Sequence, residues 1–277
     1  QSLGECMTRI RSFSMCFASV PRLVRLALVV CMASLLLTAC AGKKPHEADS
    51  VRGIVMDLAA KKAANPDVPG LSVAVLHNGQ DVPITAAFGT ASLENPTPVT
   101  TASRFKIGSI TKVFTATLIH RLIEEGRLSY DTPISRFFPA YPNGKGITVR
   151  NLLEHTSGIP EMLVMPAVQQ NLARYWSAEA LIDLVAKQPP LFKPGTRQMY
   201  CNTGFLMLAV IAEKITGQPY AEQIRAIFVD KLGMKSLLVG VDGAVVPRLV
   251  SGYSSSNGEV QLPMAASIAI AMGTGNL

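Results

Sequence analysis

Ser109 and Lys112 stand three residues apart in a segment that could supply a catalytic nucleophile. The segment reads "FKIGSITKVFTATLIHRLIEEGRL", in which a short polar stretch leads into apolar residues at helical spacing. Residues three apart lie on one face of a helix, so the lysine can reach the serine hydroxyl. A helix N-terminus stabilises negative charge, and a lysine that loses hydration on burial accepts a proton more readily. This spacing is therefore suited to activating a serine, which is otherwise a weak nucleophile.

Two other interpretations stay open when this segment is taken alone. The sequence "SRFK" also places a serine, Ser103, three residues before a lysine, Lys106, although a Pro/Thr-rich loop is expected over residues 95–104. Ser109 could also be an ordinary capping serine, because serine is favoured at helix N-termini for structural reasons. A second element is needed to decide between these interpretations.

Tyr200 and Asn202 form that second element. They lie in "FKPGTRQMYCNTGF", directly after a Pro-Gly turn and directly before an apolar helix. A phenol can act as a general base where nearby cations favour its ionised form, and Lys112 is a candidate cation. The amide of Asn202 could bind a substrate amide or hold Lys112. Tyr-x-Asn alone is a weak motif, so its value depends on the serine–lysine pair.

Together the two elements resemble the serine β-lactamase and penicillin-binding-protein superfamily, in particular its class C β-lactamase-like branch, which includes esterases and D-amino-acid peptidases. The resemblance runs from about Pro69 to the last residue. It is carried by five segments in family order: "PGLSVAVLHNG", "FKIGSITKVFTATLIHRLIEEGRLSYDTPI", "ITVRNLLEHTSGIP", "KPGTRQMYCNTGF" and "KLGMKSL".

The resemblance implies a role for each of the four polar residues. Ser109 would be the nucleophile, Lys112 its proton partner, Tyr200 the base and acid of acylation and deacylation, and Asn202 a substrate-positioning residue. The backbone N–H of Ser109 would form half of an oxyanion hole. Cys201 stands where the family more often has serine or alanine, and it is given no role. The implied fold class is α/β and β-lactamase-like, with an antiparallel sheet flanked by helices and a large helical insertion.

The pattern of elements agrees with that fold class. A surface helix is predicted over residues 50–64, then two short strands over residues 71–89 that turn at Asn78-Gly79. The helix that carries Ser109 should end at Gly126 and bury one apolar stripe. The residues predicted for that stripe are Ile110, Val113, Phe114, Thr117, Leu118 and Leu122.

Three further helices are predicted downstream. The first is a short helix in "ITVRNLLEHTSGIP" that ends at Ser157-Gly158, the second begins at Ser177, and the third is an apolar helix that ends at Gly217. His155, within the first of these segments, resembles part of a structural turn of the family. Strands that are followed mainly by helices indicate an α/β sheet with a helical insertion.

Composition limits the partners that the chain could have. Of 277 residues, 48% are hydrophobic and 16% charged, which favours a sizeable buried core. The net charge of +7 falls to about +4 without residues 1–39, and no basic stripe with interleaved aromatics remains, so a nucleic-acid partner is not expected. The sequence has no H-E-x-x-H spacing, and neither a metal nor a cofactor is expected. The expected partner is a small-molecule or peptide substrate.

The first 39 residues are interpreted as a lipoprotein signal peptide. Basic residues precede the apolar run "LALVVCMASLLL", which is shorter than the roughly 20 residues of a membrane-spanning helix. The following "LTAC" resembles a lipobox, so lipidation at Cys40 and a place in the bacterial cell envelope are expected. A tether over residues 40–50 and a β-lactamase-related domain over residues 51–277 would follow. The alternative is a buried hydrophobic helix that ends in an ordinary cysteine. Met7 or Met15 would give the signal a conventional start.

The third motif of the family, lysine or histidine, then any residue, then glycine, is not found on a predicted strand. No histidine follows His155, and Lys231-Leu232-Gly233 lies in "DKLGMKSLL", which resembles the loop before that strand. The ending "MAASIAIAMGTGNL" resembles a mid-family segment. We therefore expect the C-terminal part of the sheet to be missing from these residues, and these residues alone to be inactive.

The function expected from the sequence is that of a serine hydrolase that acts through an acyl-enzyme on a β-lactam, a D-Ala-D-Ala-type peptide or a small ester. The alternative is a non-catalytic envelope lipoprotein that binds peptidoglycan or a protein partner. The presence of all four polar site residues argues against that alternative.

Overall fold

The structure, a computed structural model, describes residues 47–77, 79, 81–256, 259–262 and 266–277. The predicted signal peptide, Cys40 and Asn78 lie outside the described residues. The chain divides into two compact units. The described residues of the first are 47–57, at the beginning of helix α1 (Glu47–Ala63), and 76, 77, 79 and 81–84, and those of the second come from 58–75 and 85–277. Helix α1 begins inside the predicted tether.

The second unit contains the sheet and the remaining helices. Its strands are β1 (Gly70–Val75), most of β2 (Ile84–Ser92), β3 (Thr97–Pro98), β4 (Ser254–Ser256) and β5 (Glu259–Gln261). Its α-helices are α2 (Thr111–Glu124), α3 (Val149–Leu153), α4 (Pro166–Gln169), α5 (Ala178–Ala186), α6 (Asn202–Thr216) and α7 (Tyr220–Ile224). Shorter turns of 3-10 helix lie at Gly108–Ile110, Ile134–Arg136, Met162–Val164 and Ile268–Ala271, and a π-helical segment lies at Arg225–Lys231.

The described sheet has three strands in the order β1-β2-β3, and β4 pairs separately with β5. Strand β3 runs antiparallel to β2, with Thr90 opposite Pro98. This short strand was predicted as loop, and its proline suits a sheet edge because proline has no N–H to donate. At the other side of β2, a Cβ on Gly89 would lie 2.2 Å from the carbonyl oxygen of Pro69, so β1 and β2 approach closely only because a glycine stands there.

Helix α6 is the centre of the core. All ten residues from position 203 to position 212 are buried, and the helix packs against α2, α3 and α5. A helix that is apolar on nearly every side must be enclosed, and each fully buried leucine or isoleucine contributes about 1.5–3 kcal/mol. Gly217, with φ of 70°, ends the helix as predicted.

The buried face of α2 differs from the predicted stripe. Ile110 and Val113 are 60% and 64% exposed, and Thr117 is exposed as well. Leu118 and Leu122 are buried as predicted and Phe114 is partly buried, whereas the other buried residues of α2 are Thr111, Lys112, Thr115 and Ile119. The prediction treated apolar character as the sign of burial, whereas the face that packs on α6 includes a lysine and two threonines whose polar atoms are hydrogen-bonded.

The other predicted helix signals can be compared directly with the structure. Ser177 accepts a hydrogen bond from Ala180 N–H at 3.1 Å and caps α5, as predicted. Gly126, with φ of 68°, follows the end of α2, also as predicted. Helix α3 ends at Leu153, which is earlier than predicted. Among the helices of the described residues, none is both long and apolar enough to cross a membrane.

Candidate active site

Ser109 lies in the 3-10 turn that leads into α2, and its side chain is exposed. Its Oγ atom accepts hydrogen bonds from the Tyr200 hydroxyl at 2.7 Å and from Lys112 Nζ at 3.3 Å. The serine therefore meets a phenol on one side and an ammonium group on the other. Two donors that converge on one oxygen stabilise negative charge on it.

Lys112 is the buried member of the site, with 6% of its surface exposed. Besides Ser109, its Nζ atom donates to Asn202 Oδ1 at 2.6 Å and to the backbone carbonyl oxygen of Thr274 at 2.9 Å. An ammonium group has three N–H donors, and these three acceptors use all of them. Nζ also lies 4.8 Å from the centre of the Tyr200 ring and 5.7 Å from that of Phe205. The site is therefore built to hold a positive charge next to the serine and the phenol.

Asn202 is positioned because it is the first residue of α6. Its backbone N–H donates to Glu161 Oε2 at 2.5 Å, so this carboxylate takes the place of a side-chain cap from Cys201. The second oxygen of Glu161 accepts from Leu163 N–H at 2.9 Å. The carboxylate thereby joins the start of α6 to the 3-10 turn at Met162–Val164. It holds the Asn202 backbone, from which the side chain reaches Lys112.

The carbonyl of Thr274 is positioned by a segment that lies along α2. Thr115 donates to the carbonyl oxygen of Gly273 at 2.7 Å and lies 2.8 Å from the hydroxyl of Tyr220. The N–H of Leu277 donates to Thr111 Oγ1 at 3.2 Å. Both threonines are fully buried, so the two hydroxyls of α2 hold the segment that supplies the third acceptor of the lysine.

His155 contacts the segment that carries Tyr200. Its Nδ1 atom accepts a hydrogen bond from Cys201 N–H at 3.1 Å, and its ring centre lies 4.6 Å from that of Tyr200. Burial, and then the positive charge of Lys112, lower the pKa of His155 below its usual value. The histidine is therefore favoured in its neutral form beside the buried ammonium group.

The Cys201 side chain points away from the site. Its thiol donates to the carbonyl oxygen of Ile159 at 3.3 Å, and burial raises the pKa of the thiol. A buried thiol of this kind is a poor nucleophile. The structure thus gives Cys201 a packing position between the two residues Tyr200 and Asn202 that face Lys112.

The rival serines occupy different settings. Ser103 Oγ accepts a hydrogen bond from Thr100 N–H at 2.9 Å, as in a turn. Ser157 is 2% exposed, and its Oγ accepts from Ile159 N–H at 3.2 Å. Lys231 ends the π-helical segment instead of lying on a strand, which fits the rejection of Lys231-Leu232-Gly233 as the third motif.

The structure thus brings together the four residues that the sequence singled out: Ser109, Lys112, Tyr200 and Asn202. Sequence reasoning did not find Glu161 or the Thr274 carbonyl. Cysteine is a poor helix cap, so Cys201 could have indicated that an acceptor from another segment caps α6. The Thr274 contact could not have been predicted, because every residue has a backbone carbonyl. Among the described residues, no group of three or more His, Cys, Asp or Glu side chains could hold a metal ion.

The chain is similar to known proteins along most of its length. A family profile described as Beta-lactamase matches residues 55–277. A β-lactamase of Pseudomonas fluorescens is 29% identical over 229 residues, which cover 82% of this chain and 61% of that protein. Penicillin-binding protein 4* of Bacillus subtilis (strain 168) is 33% identical over 163 residues, which cover 58% of this chain and 36% of that protein.

Solved structures show the same fold. A D-amino acid amidase from Ochrobactrum anthropi SV3, in complex with L-phenylalanine, matches with a TM-score of 0.69 and 29% identity over 83% of this chain and 64% of that chain. An octameric penicillin-binding protein homologue from Pyrococcus abyssi matches with a TM-score of 0.68 and 31% identity over 81% of this chain and 52% of that chain. The β-lactamase-like fold class is confirmed. The chain spans less than two thirds of the length of each of these four relatives.

Proposed function

This chain belongs to the β-lactamase family, and we propose on that basis that its protein is a serine hydrolase that acts through an acyl-enzyme on amide or ester substrates. The single observation that carries the proposal is the position of Ser109 Oγ, 2.7 Å from the Tyr200 hydroxyl and 3.3 Å from Lys112 Nζ. These are the distances over which a proton can be transferred or a negative charge stabilised.

In the proposed acylation step, Ser109 Oγ attacks the carbonyl carbon of the substrate. Tyr200 donates to Ser109 when it is protonated, and in its ionised form its oxygen takes the serine proton while the ammonium group of Lys112 stabilises the negative charge that passes between the two oxygens. The tetrahedral intermediate then collapses, the C–N or C–O bond of the substrate breaks, and the Tyr200 hydroxyl gives its proton to the leaving nitrogen or oxygen. The serine is left as an ester of the acyl group.

In deacylation a water molecule attacks the carbonyl carbon of that ester. Tyr200 accepts a proton from the water, and Ser109 recovers a proton as it leaves, so the enzyme returns to its starting state. Ser109 lies at the entry to α2, where backbone N–H groups have no partner within the helix, and its own N–H can donate to the developing oxyanion. Asn202 holds Lys112 and presents its amide to the substrate.

The substrate class is proposed from the relatives. Their names include β-lactamase, penicillin-binding protein and D-amino acid amidase, which favour a β-lactam or a D-Ala-D-Ala-type peptide over a small ester. Fold and site alone do not choose between amide and ester. The test is hydrolysis of nitrocefin, a D-Ala-D-Ala peptide and p-nitrophenyl butyrate by the full-length protein and its Tyr200→Phe variant.

We expect at least one of the three substrates to be hydrolysed, and the Tyr200→Phe change to lower that rate about 100-fold or more. Tyr175→Phe is the matched control, because Tyr175 is 69% exposed. It should leave the rate within about twofold. No turnover of any substrate by the wild-type protein would contradict the proposal and favour a binding lipoprotein.

We also propose that the protein is lipidated at Cys40 and held in the cell envelope. The support is the sequence alone, in which an apolar run of suitable length precedes "LTAC" and a polar stretch follows it. Labelling with palmitate in a bacterial host should disappear in Cys40→Ser. Label that persists in this variant would contradict the assignment.

A further inference from the structure

His155 contacts the segment before α6 at three consecutive residues. Its carbonyl oxygen accepts from Met199 N–H at 2.8 Å, its ring lies against that of Tyr200, and its Nδ1 accepts from Cys201 N–H at 3.1 Å. These contacts lie before, at and after the tyrosine. The histidine therefore contacts the backbone on both sides of Tyr200 as well as the phenol ring itself.

The direction of the His155 side chain is set by an uncommon backbone conformation. Its φ of 58° lies in the left-handed region, two residues after the end of α3 at Leu153. Its N–H donates to the carbonyl oxygen of Leu152 at 3.4 Å, and the following Thr156 N–H donates to that of Asn151 at 2.9 Å. The end of the helix thus aims the ring at Tyr200.

The contact with Cys201 requires a particular protonation state. An N–H group can donate to Nδ1 only if that nitrogen carries a lone pair, so His155 is neutral with its proton on Nε2. If Nδ1 gained a proton, two N–H groups would face each other across 3.1 Å. The ring would also become a second cation close to Lys112.

The charged and titratable groups around His155 come from each element packed against it. Lys112 on α2 disfavours a positive charge on the ring, whereas Glu161 favours one. Tyr200 and Cys201 come from the segment before α6. Glu154, the preceding residue, is paired with Arg150 at 3.9 Å on the surface. Burial, and then the charge of Lys112, lower the pKa of His155 although Glu161 acts in the opposite direction.

We propose that His155 is the positioning residue for Tyr200, and that its protonation in acid releases the Cys201 N–H and switches the site off. This inference rests on the proposed serine hydrolase function. It does not make His155 a catalytic residue, since no contact joins it to Ser109. Its effect is exerted through the position of the phenol.

The test compares three variants of the full-length protein by kcat, KM and the dependence of kcat/KM on pH. His155→Asn keeps a side-chain acceptor, cannot take up a proton in this range and tolerates a positive φ. His155→Phe keeps a ring against Tyr200 but has no acceptor for Cys201 N–H. His120→Asn is the matched control, because His120 is exposed and bonded to Tyr130.

We expect the wild type and His120→Asn to lose activity below a pH that lies under 6.5, the usual pKa of histidine. At pH 8 the kcat/KM of His155→Asn should stay within about fivefold of the wild-type value, because the asparagine oxygen can still accept from Cys201 N–H. This variant should not show the loss of activity at acid pH. His155→Phe should lower kcat about 10- to 100-fold at every pH with little change in KM, as expected for a misplaced proton-transfer group. An unchanged acid limb in His155→Asn, or wild-type kcat in His155→Phe, would overturn the proposal.

A second measurement needs no turnover, so it separates failure of this inference from failure of the proposed function. In the full-length protein labelled uniformly with ¹⁵N, Nδ1 of His155 should give the NMR shift of an unprotonated nitrogen at pH 7.5. The amide signal of Cys201 should move as His155 titrates in acid. A protonated Nδ1 at pH 7.5, or a Cys201 amide that does not respond, would contradict the switch even in an active enzyme.

Discussion

Replacement of Gly273 by alanine tests the link between the core and the lysine site. Gly273 has φ of 69°, and a Cβ built there would lie 2.7 Å from Ala209 Cβ and 2.9 Å from the carbonyl oxygen of Phe205. Both contacts are with α6, which is enclosed and cannot move away freely. The next residue, Thr274, supplies the carbonyl that Lys112 contacts at 2.9 Å. The added methyl group should therefore affect both stability and the site.

The expected loss of stability has two parts. A non-glycine residue in the left-handed region costs about 1–2 kcal/mol. Overpacking of a rigid core costs about 1–3 kcal/mol more. Gly217→Ala is the matched control, since Gly217 has φ of 70° and no atom within 4 Å of its Cβ position. The control should show only the loss of stability that comes from the left-handed backbone conformation. Any effect of alanine on the unfolded chain is common to both variants.

The assay is chemical denaturation of the wild type and the two variants, together with their rates of acylation by a penicillin or fluorophosphonate probe. Gly273→Ala should be about 1–3 kcal/mol less stable than Gly217→Ala. It should also be acylated at least about tenfold more slowly, because the acceptor of Lys112 is displaced. Equal stability of the two variants, or an unchanged acylation rate in Gly273→Ala, would contradict the proposed link between the Gly273 backbone and Lys112.

Three further predictions follow from the site. Lys112→Met should lower the acylation rate about 100-fold or more. The control Lys106→Met changes the exposed lysine of the "SRFK" segment and should leave the rate within about twofold. Similar losses in both variants would contradict the assignment of Lys112 as the partner of Ser109. Alkylation of Cys201 by iodoacetamide at pH 8 should be slow in the folded protein and fast after unfolding, because burial raises the pKa of the thiol, and rapid native labelling in peptide maps would show otherwise. The pKa of His155 is lower in the folded protein than in the unfolded chain, so the unfolded chain binds a proton there first as the pH falls below 6.5. The free energy of unfolding should therefore decrease in this range and become constant below the pKa of His155 in the folded protein. Denaturation curves between about pH 4.5 and 7.5 should show that His155→Asn removes this dependence on pH.

Much of the site could be predicted because its residues carry local signals. Ser109 and Lys112 are tied by helix periodicity, and the positions of Gly217 and Ser177 follow from the chemistry of helix ends. The approach of Tyr200 to Ser109 spans 91 residues in sequence and has no local signal. For that contact the sequence contributed only the resemblance to a family.

The parts that the sequence did not predict arise from contacts between distant elements. The buried face of α2 was assigned from apolar residues, but its polar members Lys112 and Thr115 are buried because acceptors on other segments satisfy them. Likewise, Glu161 caps α6 from 41 residues away, and the Thr274 contact uses only a backbone oxygen. Such pairings depend on the tertiary fold and leave no periodicity to detect.

Identification of the acylated residue tests most directly whether Ser109 is the nucleophile. The full-length protein would be treated with a fluorophosphonate or penicillin probe, digested, and mapped by mass spectrometry, with Ser109→Ala as the control. We expect an adduct on Ser109, which alone among the candidate serines is exposed and contacts both Tyr200 and Lys112, and no adduct in the variant. An adduct on Ser103 or Ser157, or labelling that persists in Ser109→Ala, would contradict the assignment of Ser109 as the nucleophile.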